Sequence, residues 1–338
     1  MKKIFLILIV LATVTSCNLT PGEPSEEVPE LTIEDYYPII ENAKYFYEGK
    51  GNEYATYTVF VDYVEGNKIQ TRTNNGGTET INVVEIEDGQ LRLLFTRGET
   101  YFRHNFLNNE YEDGKILLKE PLEVGARWDY DEDATAEITD LSKEVVTPQG
   151  NFEAIEVTID GEYTQIINYY AKDKGLIKTL SFTDDFEVSS TLSSVEENAP
   201  LMQTITLYYP DVDGIHLNTI DVPIEFNTND QPEDVIERII KDLSVYEIIS
   251  PNTKINRLEF DENNNSVHID LSNDFIAEMN AGAGFEAMIL QSLTNTLGQY
   301  YGVENIYLTI EDGHYESGHI IIEEGEALIV NFDNINEQ

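Results

Sequence analysis

The sequence predicts an α+β protein, in which an all-β antiparallel meander, either a curved sheet or an open barrel, precedes a smaller α+β sandwich. Two observations predict the first part. Apolar and polar residues alternate with a period of two, and turn sequences rich in Gly, Asn and Asp separate the alternating segments. A third observation predicts the second part, because beyond about residue 200 two segments repeat apolar residues at the spacing of an amphipathic helix.

Six segments in the first half have the strand pattern. They are Tyr54–Val64, Thr80–Ile86, Leu91–Phe95, Ile116–Leu118, Phe152–Ile159 and Tyr163–Tyr170. Turn sequences such as Glu65-Gly66-Asn67 and Asp88-Gly89 lie between them. No segment from Tyr36 to Val195 sustains a helical period. We therefore expect residues 35–196 to form the meander.

The second half, residues 200–338, has the predicted order β-β-α-β-β-α-β, with both helices on one face of a sheet. The predicted strands are Thr204–Tyr209, Ile220–Phe226, Lys254–Phe260, Ser266–Leu271 and Ile306–Ile310. Pro223 predicts an edge strand, since it cannot donate a ladder hydrogen bond. The first helix has Asp230 as its expected cap and Pro232 in its first turn. The second runs from about Phe285 to Tyr300, with Gly302 as a left-handed C-cap.

The N-terminus has the features of a bacterial lipoprotein signal. Lys2 and Lys3 precede the apolar run Ile4–Val14, which is too short to cross a bilayer, since spanning takes ~20 residues. Val14-Thr15-Ser16-Cys17 resembles the lipobox, which implies lipidation of Cys17 and removal of the signal peptide, residues 1–17. The alternatives are an ordinary cleaved signal and an uncleaved anchor.

Lipidation predicts the location of the mature protein. We expect it at the extracytoplasmic face of the cell membrane, anchored by lipid through Cys17. Residues 18–34 are rich in Pro and Glu and predict a disordered tether. Cys17 is the single cysteine of the chain, so no internal disulfide is expected.

The charge of the chain is strongly acidic, with 20 basic and 64 acidic residues and a net charge of −44. Such a surface repels phosphate backbones, which excludes nucleic acid as an expected partner. A solvated, colloidally stable surface is the favoured explanation of the acidity. A basic partner protein and divalent cations are the alternatives.

No enzyme motif is present in the sequence. It lacks the sequence patterns of serine hydrolases, zinc metalloproteases, phosphate-loop nucleotidases and dinucleotide-binding enzymes. We therefore expect a protein that is not an enzyme and that needs no cofactor.

Two weaker site candidates lie in the first half. Asp129, Asp131, Asp133 and Asp140 fit positions of an EF-hand loop, but position six is alanine and the flanks predict strands. A solvated acidic loop is therefore favoured over a calcium site, and no metal is expected. Trp128, the only tryptophan, and the many tyrosines suggest a concave ligand surface, although aromatic packing on a sheet is the commoner cause.

Several segments of the second half resemble, in order, the GerMN domain of sporulation and germination lipoproteins. They are Leu207-Tyr208-Tyr209-Pro210-Asp211, Ser250-Pro251-Asn252-Thr253-Lys254-Ile255, Val267 to Phe275, Gly284-Phe285-Glu286 with Gln291 to Leu297, and Gly318-His319. Asn252 stands where the family usually has glycine; because asparagine tolerates the left-handed region, we expect the turn to be kept.

The resemblance implies a non-catalytic lipoprotein of a Gram-positive spore former. It would act in assembling a sporulation or cell-envelope complex, through contacts of the second half with envelope proteins, including ring-forming self-association. The alternative is an envelope protein that binds a small molecule, glycan or lipid through the aromatic β-rich half.

Overall fold

A computed structural model describes residues 31–183, 186–242 and 248–336. Residues 32–338 form one compact unit. The signal peptide, the lipidation site Cys17 and almost all of the predicted tether lie outside the described residues.

The first half is a single antiparallel sheet of 12 strands, in the order β6-β5-β4-β3-β2-β1-β12-β11-β10-β9-β8-β7. A short helix, α1 (Ile33–Tyr36), precedes it. The strands are β1 (Lys44–Lys50), β2 (Tyr57–Glu65), β3 (Lys68–Asn74), β4 (Glu79–Glu87), β5 (Gln90–Arg97), β6 (Lys115–Lys119), β7 (Arg127–Asp131), β8 (Ala134–Thr147), β9 (Gly150–Gly161), β10 (Gln165–Ala171), β11 (Gly175–Thr183) and β12 (Phe186–Glu196). All but one of the ladder pairings join consecutive strands, which confirms the predicted meander.

The two end strands of this sheet approach each other without forming a ladder. Trp128 of β7 donates its indole N–H to the carbonyl oxygen of Ile116 in β6 at 2.8 Å. Lys115 of β6 forms an ion pair with Asp131 of β7. These side-chain contacts bridge the seam, so the sheet is nearly closed.

The structure adds six strands that the sequence pattern did not predict, β1, β3, β7, β8, β11 and β12, and it shifts the ends of others. Tyr54 lies in a 3-10 turn, Glu53–Ala55, and β2 begins only at Tyr57. Tyr163 precedes β10 and is 78% exposed. The strand β3 does not show the expected pattern because Gln70 and Arg72, which share one of its faces, are polar and yet buried.

The second half has two sheets rather than the single sheet predicted. The hairpin of β13 (Leu201–Pro210) and β14 (Leu217–Phe226) forms one of them. The other contains β15 (Ile255–Asp261), β16 (Ser266–Leu271), β17 (Asn305–Ile310), β18 (Gly313–His314) and β19 (Leu328–Ile329). β16 and β17 are parallel, and the remaining pairs in this sheet are antiparallel.

Within the described residues of the second half there are three helices: α2 (Pro232–Asp242), α3 (Asp274–Ala277) and α4 (Ala283–Tyr301). Pro232 opens α2, and Gly302 ends α4 with φ of +68°, both as predicted. The expected cap Asp230 instead accepts a hydrogen bond from the backbone N–H of Asn227 at 2.7 Å.

The hydrophobic core extends across both halves of the chain. Phe60 and Phe102, from the first half, belong to the same buried cluster as the core of the second half. The ring of Phe102 lies 4.7 Å from that of Phe260 and 5.1 Å from that of Tyr301. The two halves therefore pack as one structure, although β12 ends at Glu196 and β13 begins at Leu201.

Candidate functional site

One face of strands β1 to β6 lines a cavity of about 360 Å³. Alternate residues point into it, as the pairs Tyr45 and Tyr47 of β1 and Thr71 and Thr73 of β3 illustrate. The opposite wall contains Tyr37–Ile39, which follow α1, and Lys174–Leu176 at the β10–β11 turn. Pockets that bind small molecules have volumes of ~300–1,000 Å³, so the cavity is large enough for a ligand.

Four tyrosines give the cavity its aromatic wall: Tyr37, Tyr45, Tyr47 and Tyr57. The rings of Tyr47 and Tyr57 stack with centroids 4.6 Å apart. The Tyr47 hydroxyl donates to the carbonyl oxygen of Leu176 at 2.8 Å, which fixes β1 to β11. Burial raises the pKa of Tyr37 and of Tyr45 to about 12, so these phenols stay neutral at physiological pH.

Aliphatic side chains form the deepest part of the cavity. Val61, Ile69 and Val84 line it and are at most 4% exposed. At the rim, Ile39 is 39% exposed and Lys174 is also exposed. Among the described lining residues Lys174 is the one charged side chain, and none is a carboxylate.

Lys174 lies in a tight turn between β10 and β11. Asp173 and Gly175, on either side of it, have φ of +59° and +79°. The backbone N–H of Lys174 donates to the carbonyl oxygen of Ala171 at 3.1 Å, which closes the turn. Asp35 of the neighbouring helix α1 forms an ion pair with Lys172 at 3.2 Å.

Trp128 does not line this cavity. It is 6% exposed, and its indole N–H bonds Ile116 at the seam of the sheet. It packs in the same buried cluster as Val61, Ile69 and Val84, and it lines two other pockets beside Lys119 and Arg127. The aromatic wall of the cavity is made of tyrosines and does not include Trp128.

The acidic EF-hand candidates lie along the β7–β8 hairpin. Asp129 is paired with Thr135 and Asp131 with Ala134 across the ladder, and Asp133 is exposed in the turn. Asp140 accepts a hydrogen bond from the backbone N–H of Ser142 at 2.9 Å. In the part of the chain that the structure describes, no group of three or more His, Cys, Asp or Glu is arranged to hold a metal ion.

In the second half, the buried carboxylate of Asp270 fixes the end of the parallel strand pair. Asp270 accepts hydrogen bonds from the Thr309 hydroxyl at 2.6 Å, the Asn256 amide at 2.8 Å and the backbone N–H of Asp312 at 2.8 Å. Burial raises the pKa of Asp270, but these hydrogen bonds outweigh burial and lower it below its usual value. Asp270 therefore acts as a structural anion.

A second buried carboxylate, Glu286, joins two of the segments that resemble the GerMN domain. It is 2% exposed and accepts hydrogen bonds from the hydroxyls of Tyr315, at 2.8 Å, and Ser317. The Ser317 oxygen in turn accepts from the backbone N–H of His319 at 3.0 Å. The start of α4 and the Gly318-His319 segment thus meet around one carboxylate.

The turn that contains Asn252 is kept, as expected, but for a different reason. Asn252 is not among the described residues with a left-handed backbone. The backbone N–H of Thr253 donates to the carbonyl oxygen of Ser250 at 3.2 Å, and the Asn252 amide donates to Glu278 at 2.7 Å. A glycine is therefore not required at this position.

These motif contacts agree with the comparison with known families. Residues 206–316 match the family model Germane, described as "Sporulation and spore germination". The match confirms the resemblance, and residues 206–316 are called the Germane unit below. It covers less than half of the chain, so it describes this segment and not the large sheet.

Other comparisons add little to this result. No curated protein matches the chain. Two solved structures each align over 48% of the chain. One is an exported protein of YmcC-like fold from Bacteroides fragilis, with 13% identity, a TM-score of 0.31 and 99% of its own length covered. The other is a lipoprotein from Parabacteroides distasonis, with 14% identity, a TM-score of 0.27 and 98% of its own length covered. Among the described helices, none combines the length and apolar character that crossing a membrane requires.

The β13–β14 hairpin of the Germane unit presents apolar side chains to solvent. At its tip Val212 is 100% exposed and Ile215 is 60% exposed. Close to the same turn, the ring of Phe332 lies 5.6 Å from that of Tyr208, and Phe332 is 48% exposed. Ile224 of β14, by contrast, is only 1% exposed. A charged residue substituted there would disrupt the core, so such a variant would not test contacts made through the edge of the strand.

A buried charge cluster that no sequence pattern predicted joins the Germane unit to the large sheet. Asp62 and Arg103 are both 0% exposed, and their side chains are 2.8 Å apart. Arg72 pairs with the same carboxylate at 3.1 Å. Arg103 also donates to the carbonyl oxygen of Asn227 at 2.9 Å, and its backbone N–H donates to the Tyr300 hydroxyl at 3.0 Å.

Proposed function

We propose that this protein is a non-catalytic, lipid-anchored protein at the extracytoplasmic face of the membrane of a Gram-positive spore former. In this proposal it helps to assemble a cell-envelope complex during sporulation or germination. The lipobox resemblance at Cys17 supports the location, and the Germane match of residues 206–316 supports the process.

The exposed tip of the β13–β14 hairpin carries the proposal that the Germane unit docks to envelope proteins, a second copy of this chain included. Val212 is fully exposed, Ile215 largely so, and both are large aliphatic residues. Clustered exposed apolar residues mark protein contact sites more often than isolated ones do. Because two copies of so acidic a chain repel each other, self-association should strengthen as salt screens the charge.

Crosslinking in cells tests this docking. A tagged copy would be crosslinked in vegetative and sporulating cultures and its captured partners identified, together with sedimentation of the purified protein at 0.05 and 0.5 M salt. Val212→Asp should abolish capture and oligomers. Val146→Asp is the matched control, since Val146 is 71% exposed on the large sheet.

The pattern of loss decides the outcome. Loss of specific capture with Val212→Asp alone supports docking through the hairpin. Equal capture by both variants and the unaltered chain, dominated by wall enzymes in both cultures, would contradict it. So would a protein that stays monomeric at both salt concentrations and captures no sporulation protein.

A second function, ligand binding by the large sheet, is favoured by the tyrosine-walled cavity of about 360 Å³. We propose that it holds a small molecule of the cell envelope. Native mass spectrometry of the chain from residue 18 onward, which contains the whole compact unit of residues 32–338, would detect bound ligands after incubation with envelope extract. Val59→Trp, which fills the cavity, should remove them; ligands that persist in this variant would refute the assignment.

A further inference from the structure

The lining of the cavity is unusual for a chain of this charge. The protein has 64 acidic and 20 basic residues, yet the described lining contains no carboxylate and one lysine, Lys174. A cavity lined at random in this sequence would contain several acidic residues. The local electrostatic environment therefore opposes that of the surface and favours a neutral or anionic ligand.

Polarity also changes from the bottom of the cavity to its rim. Val61, Ile69 and Val84 are buried at its bottom, and the half-buried Leu93 and Leu117 line the same face. Lys174 is exposed on the β10–β11 turn at the rim. An apolar interior with one cation at its mouth is complementary to an amphiphile whose head group carries a negative charge.

We propose that the cavity binds a single-chain amphiphile with an acidic head group, whose hydrocarbon chain lies among the aliphatic residues and whose head group pairs with Lys174. This inference rests on the proposed ligand-binding function of the sheet and names its ligand class. A volume of about 360 Å³ lies near the lower end of the ~300–1,000 Å³ range of ligand pockets, which favours one chain over two.

The polar groups of the cavity fit this ligand better than they fit a sugar. Burial raises the pKa of Tyr37 and of Tyr45 to about 12, so both phenols stay uncharged and do not repel an anion. Asn82, which lines the wall, already accepts a hydrogen bond from the Thr96 hydroxyl at 3.0 Å. Thr71 is only 8% exposed and the Tyr47 hydroxyl already donates to Leu176, so these two interior groups are not free to bind a polyhydroxylated ligand.

Three ligands with the same sixteen-carbon chain test the head group directly. Palmitate, hexadecanol and hexadecylamine would be titrated against the chain from residue 18 onward by displacement of a fluorescent fatty acid. We expect palmitate to bind most tightly and the amine most weakly. Lys174→Glu should weaken palmitate about 3- to 10-fold and strengthen the amine, since exposed ion pairs contribute modestly. Lys50→Glu, an equal charge change at an exposed position outside the lining, is the control.

Lysophosphatidylglycerol, titrated in parallel, distinguishes the two sources of an acidic single chain. Tighter binding of palmitate indicates a free fatty acid, and tighter binding of the lysolipid indicates a membrane phospholipid; both support the proposal if Lys174→Glu weakens them. If hexadecanol and palmitate displace the fluorescent fatty acid equally well, and Lys174→Glu changes neither affinity, the head-group assignment is overturned. The cavity would still be a binding site for hydrocarbon chains. If a cell-wall fragment binds, Val59→Trp abolishes that binding and no amphiphile binds, the assignment of an amphiphile as the ligand is wrong. No ligand of any kind would also refute the proposed binding function.

Discussion

The buried cluster of Asp62, Arg72 and Arg103 gives the sharpest test of how the two halves are joined. Asp62 is 0% exposed, and its carboxylate lies 2.8 Å from Arg103 and 3.1 Å from Arg72. Asp62→Asn keeps the shape of the side chain and removes its charge. The guanidinium groups of Arg72 and Arg103 would then remain buried without the carboxylate with which both now pair.

The expected loss follows from this burial. Breaking a buried ion pair by removing one partner costs about 3–5 kcal/mol of unfolding free energy. At about 2 °C per kcal/mol for a protein of this size, the melting temperature should fall by about 6–10 °C. Glu79 also pairs with Arg72, at 2.8 Å, so Arg72 would keep one ionic partner. We therefore expect the loss of unfolding free energy to lie near the lower end of this range.

Thermal unfolding followed by circular dichroism and by Trp128 fluorescence measures this loss. Both probes should report one transition, because Arg103 bonds the large sheet and Asn227 of the Germane unit together. Asp133→Asn, an exposed aspartate, is the control and should shift stability by no more than about 0.5 kcal/mol. A melting temperature within 1 °C of the unaltered protein, or two separate transitions before any substitution, would refute the reasoning.

Two further predictions concern packing and pH. Gly298→Ala should destabilise the protein by about 1–3 kcal/mol in urea unfolding, because the added Cβ atom would lie 2.1 Å from Val330. The control is Gly284→Ala, which has open space around it and should be neutral or stabilising. Equal losses in the two variants would contradict the prediction. Burial, and then the charge of Arg97, lowers the pKa of His104 from 6.5 to about 4. Between these pH values the unfolded chain binds a proton that the native imidazole does not, so the contribution present above pH 6.5 is lost as the pH falls to about 4. His104→Phe should therefore flatten the fall in stability between pH 6.5 and 4 in chemical unfolding. An unchanged slope would show that other groups dominate.

The meander could be predicted because it depends on local signals. Alternation places strands, and turns such as Asp88-Gly89 adopt the positive φ values that their residues favour, here +51° and +67°. β3 was missed since Gln70 and Arg72 break the apolar pattern where they face a buried carboxylate. No local pattern distinguishes such a strand from an exposed polar one.

The candidate sites were harder to predict than the fold. Tyrosine enrichment indicated an aromatic surface, but only the strand order shows that Tyr45 and Tyr57 face one cavity while Trp128 lies at the seam. Asp62 and Arg103 contact each other although they are 41 positions apart in the sequence. Aspartate and arginine are mostly exposed in proteins, so neither residue type predicts burial. The spacing of acidic residues fitted an EF-hand loop only weakly and favoured a solvated acidic loop; it gave no sign that Asp131 pairs with Lys115 across the seam.

The scarcity of basic residues in this chain gives their positions physical meaning. With 64 acidic and 20 basic residues, the surface as a whole repels itself, and each cation placed between two elements offsets that repulsion locally. Arg103 lies between the sheet and the Germane unit, Lys115 lies at the seam, and Lys254 pairs with Glu237 between α2 and β15. Salt should weaken the exposed pairs and scarcely affect the buried arginine, since screening acts through solvent. Lys174 differs from these cations because it lines the cavity and joins no two elements, which is where the proposed acidic head group would pair with it.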